Sequence, residues 1–168
     1  MAERPVLAVA YGPRSVPVLQ LVEAAAGRCE LAWMIDDRLP EMEDMARLLR
    51  RFGTVVPTGG LDLDATADAL GRQRPAGITT YFDAGMIELA RLAARLGLPF
   101  YSEATATALV DKIRQRERMA AAGICVPRFW DVPLQGDLDA ALDHIDVDGG
   151  WPVILKPRSE SGSHHTFL

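Results

Sequence analysis

The chain has 168 residues, with 18 basic against 23 acidic side chains and a formal net charge of −5. Hydrophobic residues make up 49% and charged ones 24%, which excludes a disordered chain. The length predicts one domain, or one plus part of another, at roughly 100–200 residues per domain. The acidic balance argues against a dedicated nucleic-acid binder, which carries a basic face, but leaves room for a local cationic pocket. The apolar run over 6–11 is far short of the roughly 20 residues that cross a bilayer. It is also too brief, and too close behind Glu3 and Arg4, for a secretory signal. A cytoplasmic protein with neither a membrane nor a nucleic-acid partner is expected. Cys29 and Cys125 lie far apart without metal-like spacing and read as small buried hydrophobes in a reducing compartment.

In chain order, Val6–Ala10 is an apolar run of strand length ended by the turn signal Tyr11-Gly12-Pro13. Val16, Leu19, Val22 and Ala26 then recur at helical spacing until Gly27. A second strand is predicted over 31–35, ended by Asp36-Asp37. Pro40 with Glu41, Glu43 and Asp44 opens a helix whose apolar face is Met42, Met45, Leu48, Leu49 and Phe52. Thr54–Pro57 predicts a third strand, 64–72 a helix and 78–82 a fourth strand. Met86, Leu89, Ala90, Ala93 and Leu96 give the most regular helical stripe, stopped by Gly97. Residues 99–101 are a candidate fifth strand.

Strands alternating with helices indicate βαβ units, hence a parallel sheet with helices on both faces. Ligands on such sheets bind at the carboxyl ends of the strands, here Tyr11-Gly12-Pro13-Arg14, Asp36-Asp37 and Asp83-Ala84-Gly85. A dinucleotide site would need Gly-x-Gly-x-x-Gly after the first strand. This chain has a single glycine there, and Asp36 reads as a turn cap. A receiver domain would need its acidic pair after the first strand, not the second.

Beyond Ser102 the rhythm changes. A helical stretch is predicted over 103–122 with a break near Asp111, then a strand over 128–132, a helix over 137–145 and a strand over 153–156. Residues 166–168 read as the start of a further strand, so the second unit is expected to continue past Leu168.

The informative set lies here. Asp111-Lys112 opens a basic helix carrying Arg114, Arg116 and Arg118. Then come Ala121-Ala122-Gly123-Ile124-Cys125-Val126-Pro127, later Pro152-Val153-Ile154-Leu155-Lys156-Pro157, and at once the loop Ser161-Gly162-Ser163. The order and spacing of these pieces resemble the ATP-grasp enzymes with their preceding Rossmann-like domain. The resemblance covers roughly 99–168, and residues 1–98 match as βαβ architecture. After the Ser-Gly-Ser the family commonly has a basic residue and a glycine where this chain has His164 and His165, whose role is left open.

The resemblance implies a pre-ATP-grasp Rossmann-like domain over 1–105 and the first part of an α+β ATP-grasp domain over 106–168. It implies ATP as cofactor, with Lys156 at the α-phosphate and adenine edge and Lys112 on the nucleotide phosphates. Ser161, Gly162 and Ser163 would form a lid over them. Two lysines placed on a triphosphate would also screen the charge that phosphoryl transfer must hold. Magnesium ligands are implied downstream of residue 168, with none in this chain, so these residues alone are expected not to turn over. Tyr11, Gly12, Arg14 and Asp83 are substrate-side candidates.

The reaction implied is activation of a substrate carboxylate as an acyl phosphate, followed by attack of an amine or thiol and release of ADP and phosphate. The Ala-rich helices and Glu/Arg content favour an amino-acid or peptide ligase. A carboxylase or carbamoyl-phosphate chemistry is the alternative within the family. A non-catalytic Rossmann-like binding or assembly module is the alternative from another class. Small-molecule carboxylate and amine substrates are the expected partners, with homo-oligomerisation left open.

Overall fold

The computed structural model describes residues 4–13, 15–133, 136–147, 150–159 and 165–168. The chain divides into two compact units, Met1–Ala106 and Thr107–Leu168.

The first unit runs β1 (Val6–Ala10), α1 (Val18–Ala25), β2 (Glu30–Ile35), α2 (Glu41–Leu49), β3 (Thr54–Pro57), α3 (Leu63–Gly71), β4 (Pro75–Thr80) and α4 (Met86–Leu96). The four strands form one sheet in the order β3-β2-β1-β4, and every pair is parallel. This is the α/β, Rossmann-like arrangement that the alternation of elements predicts.

Side chains alternate across a strand, so β2 feeds two cores. Leu31, Trp33 and Ile35 pack with Val9 against α1 and α2, through Val18, Leu21, Met42 and Leu49. Ala32 and Met34 pack with Ala8, Val56 and Ile78 against α3 and α4, through Leu70, Leu89 and Leu92. Helices therefore cover both faces. That is why β2 reads as an unbroken apolar run rather than an alternating one.

Two predicted strands shift or vanish. The fourth lies at Pro75–Thr80, ahead of 78–82. Proline is tolerated as the first residue of a strand, and Pro75 pairs with Val6 there. The Thr80 hydroxyl accepts from the Phe82 amide at 3.4 Å and ends the strand in a turn. Residues 99–101 form no strand, for a local reason. Helix α4 closes on Gly97 at φ +66°, with the Leu98 amide donating to the Ala93 carbonyl at 2.8 Å. Pro99 has no amide to donate, so two consecutive residues offer nothing to a ladder.

Gly71 ends α3 without positive φ, and a methyl group there would meet only Leu96 Cδ2 at 3.7 Å. Gly71→Ala is expected to raise stability by about 0.5–1 kcal/mol by removing backbone freedom from the unfolded chain. Urea unfolding would check it, and a lower midpoint would contradict it.

Helix α5 (Glu103–Val110) crosses from the first unit into the second, which continues with α6 (Lys112–Ala121) and α7 (Gly136–Val147). The predicted break falls at Asp111, whose backbone is extended at φ −99° and ψ 108°. No strand forms over 128–132. The predicted strands over 153–156 and 166–168 reduce to one antiparallel bridge, Leu155 to Phe167, with mutual amide–carbonyl bonds of 2.9 and 2.8 Å. Among the described residues no further strand stands beside them to extend a ladder. Cys29 is half-buried, whereas Cys125 is exposed and so is not the buried hydrophobe expected. Among the described residues no helix is long and apolar enough to cross a membrane.

Candidate functional site

The first unit offers its strand ends. In the order β3-β2-β1-β4 the direction in which strands are added reverses between β1 and β4, and crevices at such switch points are where open α/β sheets bind ligands. Of the three strand ends named from sequence, the topology singles out Tyr11-Gly12 and the segment leading to Asp83. Ala10 and Thr80 are paired neighbours, and a methyl group on Gly12 would sit 3.4 Å from the Phe82 ring. Asp83 is exposed and its carbonyl accepts from the Met86 amide at 3.1 Å, opening α4.

Tyr11 is 7% exposed. Its ring stands edge-on to Trp33 with centroids 5.7 Å apart, and its hydroxyl donates to the Val16 carbonyl at 3.2 Å. Burial pushes the phenol above its ordinary pKa, so it stays neutral and serves as a packed wall of the turn. Arg14 lies outside the described residues. Asp36 accepts from the Arg38 amide, Nε and Nη2 at 3.1, 2.9 and 2.7 Å, and that guanidinium holds its carboxyl below the usual range. Asp36 is thus the turn cap expected.

The second unit contains a cavity of about 770 Å³ whose wall includes Lys112, Arg116, Arg128, Asp131, Lys156 and Arg158. Phe129, Trp130, Trp151 and Phe167 supply aromatic surface to the same cavity. Lys112 and Lys156, distant in sequence, are therefore brought to one place. Ser161, Gly162, Ser163 and His164 lie outside the described residues.

The local chemistry explains how the two lysines meet. Asp111 caps α6, accepting from the Ile113 and Arg114 amides at 3.0 and 3.2 Å. The same carboxylate accepts from Arg158 Nε at 2.9 Å, and Arg158 Nη2 lies 2.9 Å from its other oxygen. Arg158 Nη1 donates to Asp131 at 3.0 Å. The Arg158 carbonyl in turn accepts from the Lys112 amide at 3.0 Å and from Lys112 Nζ at 3.4 Å. One arginine two residues past Lys156 thus ties that segment to the start of α6. Paired carboxylate–guanidinium geometry of this kind is the strong form of ion pairing. The Arg158 guanidinium holds the Asp111 carboxyl below the ordinary aspartate range, and the capped amides add to this.

Lys156 experiences the opposite. Partial desolvation, then the positive charges of Arg116 and Lys112, push its ammonium below the usual lysine range. Lys156 is nonetheless exposed, so the cavity opens to solvent; like charges gathered there are unfavourable by themselves and favourable around an anion. Arg158, Asp131 and Arg116 were not singled out from sequence as site residues. The only sequence signal for them is position: Arg158 follows the Lys-Pro, and Arg116 stands four residues after Lys112. Among the described residues no group of three or more His, Cys, Asp or Glu side chains stands together as a metal site. The cations and aromatic side chains suit an anion that also carries a flat or apolar part.

No protein-family model and no curated protein matches the chain. Solved structures do match in fold, among them two enzymes. The N5-carboxyaminoimidazole synthetase of Staphylococcus aureus, in complex with ADP, superposes on 97% of this chain and 40% of its own, with a TM-score of 0.67 at 18% identity. The L-amino acid ligase of Bacillus licheniformis superposes on 87% of this chain and 43% of its own, with a TM-score of 0.55 at 13% identity. The chain thus spans about two fifths of the length of each. Both are ATP-grasp enzymes, and the α/β sheet matches their N-terminal domain. The chain therefore shares the fold of the N-terminal part of these two enzymes.

Proposed function

We propose that this chain supplies the first nucleotide contacts of an ATP-dependent ligase, in which a substrate carboxylate is activated as an acyl phosphate. The observation that carries this is the meeting of Lys112 and Lys156 in one cavity walled by cations and aromatic rings. Lys112 and Lys156 screen the phosphates, while Arg158, bound by Asp111 and Asp131, keeps the two lysine-bearing segments together. In the reaction, a carboxylate oxygen bonds to the terminal phosphorus and the bond to ADP breaks. An amine then displaces phosphate from the acyl carbon and loses its proton. A magnesium ion bound with the nucleotide would neutralise part of the phosphate charge. The strand ends at Tyr11, Gly12 and Asp83 belong to the substrate side in this scheme. The ADP complex of the Staphylococcus aureus synthetase supports a nucleotide, and the L-amino acid ligase supports ligase chemistry.

Titration with ATP tests it, read by calorimetry and by melting temperature. The wild-type chain is expected to melt higher in millimolar ATP. Lys156→Ala is expected to bind about tenfold more weakly or worse, the effect of deleting a hydrogen bond to a charged group. No binding by the wild type, or equal binding by the variant, would overturn the proposal.

A further inference from the structure

Helix α6 carries three arginines, and they are not equivalent. Arg114 and Arg118 are exposed, and Arg114 Nε lies 3.6 Å from the Asp111 carboxylate. Arg116 is half-buried and lines the cavity together with Lys112. The two stand four residues apart, so they share one face of the helix. The Arg116 guanidinium lies over the Phe129 ring, 5.5 Å from its centroid, which fixes its plane and removes much of its rotamer freedom.

The charge balance of the cavity is uneven. Arg158 is matched by Asp111 and Asp131, and Asp131, the acidic side chain in the wall, is held by that pairing. Among the described residues Arg116 makes no ion pair, and neither does Lys156. Partial desolvation makes the Lys156 ammonium easier to deprotonate, and the neighbouring charges of Arg116 and Lys112 add to this. A protein that holds an arginine against other cations, stacked and without a carboxylate, has a place for an anion of more than one charge.

We infer that Arg116 is a third phosphate-binding cation of this cavity, acting with Lys112 and Lys156 to select a ligand by its number of phosphate charges. This rests on the nucleotide site proposed above and adds a residue and a specificity to it. Affinity should fall in the order triphosphate, diphosphate, monophosphate, because each lost phosphate removes negative charge from beside Arg116 and Lys156. The stacked, planar guanidinium offers two parallel donors to a phosphate, which a lysine at that position cannot.

The test uses inorganic tripolyphosphate alongside ATP, so that charge recognition is read apart from adenosine recognition. Calorimetry on the full chain should show both ligands binding, ATP more tightly than ADP and ADP more tightly than AMP. Arg116→Gln should weaken tripolyphosphate about tenfold or more, with a shallower dependence of affinity on salt. Arg116→Lys, which keeps the charge, should fall between the two. The ligand-free melting temperatures of both variants report whether they are folded, and Arg116→Lys supplies the comparison if Arg116→Gln is not. Wild-type affinity and salt dependence in Arg116→Gln would overturn the inference and leave the nucleotide site standing. Failure of the wild type to bind tripolyphosphate would also overturn it. Binding of tripolyphosphate through Arg116 without any binding of ATP would uphold it and defeat the nucleotide proposal.

Discussion

Gly53→Ala is expected to lower the stability of the Met1–Ala106 unit by about 3 kcal/mol, the upper end for overfilled interiors. Gly53 stands between α2 and β3 where the backbone passes over β2. A methyl group there would lie 2.2 Å from the Leu31 carbonyl oxygen and 3.0 Å from both the carbonyl carbon and Trp33 Nε1. The obstacle is mainly strand backbone in mid-sheet, which cannot rotate aside as a side chain can. Trp33 is fully buried, and its Nε1 has no hydrogen-bond partner among the described residues. Little slack exists on that side either. For a unit of this size the melting temperature should fall on the order of 10–20 °C, measured by circular dichroism. Gly59→Ala is the informative control. Its methyl would meet Asp36 and Asp37 oxygens at 2.6 Å and Arg38 Cγ at 2.9 Å, all side-chain atoms of a surface turn and none of them strand backbone. If both variants melt alike, backbone crowding at Gly53 is not the determinant.

Asp111→Ala is expected to cost the Thr107–Leu168 unit about 2 kcal/mol. Loss of a helix cap alone costs about 0.5–2 kcal/mol, and here the capping carboxylate is also one of the two that hold Arg158. The effect has a pH signature. Because the folded Asp111 carboxyl sits below its ordinary value, its contribution is complete above the unfolded aspartate pKa of about 3.9. It is lost as pH falls through the lower folded value. Asp111→Asn keeps an oxygen for the cap but removes the charge. It should therefore be less stable than wild type at neutral pH and lose less on acidification. Urea unfolding across the acid range would show the two curves converging; parallel curves would mean that the Arg158 pairing contributes nothing.

Where sequence reading succeeded and where it stopped has a physical division. Val6–Ala10, Thr54–Pro57 and Met86–Leu96 are legible because their signals are local: apolar runs, caps and a helical stripe. Pro75–Thr80 is displaced from its expected place because Pro75 and Gly77 read as turn residues, and only the partner β1 makes a strand of them. In the second unit, Lys112 and Lys156 are legible through their motif order. The Arg158 bonds to Asp111 and Asp131 are not, since they join residues far apart in sequence and nothing local announces them. The stack of Arg116 on Phe129 is hidden for the same reason. Strands expected over 128–132 and 153–156 fail because β propensity without a neighbouring strand yields no ladder.

The opening turn of α6 has a wider consequence. Its first three amides are already bonded, Lys112 to the Arg158 carbonyl and Ile113 and Arg114 to Asp111. Helices that bind phosphate through their amino terminus need those groups open. Here the positive pole of the helix dipole is quenched by the unit's own oxygens, so α6 can meet an anion only through its side chains. Backbone recognition is nearly indifferent to mutation, whereas side-chain recognition can be dismantled one residue at a time. At the phosphate site proposed above, selectivity is therefore open to stepwise change by single substitutions that leave the helix itself intact.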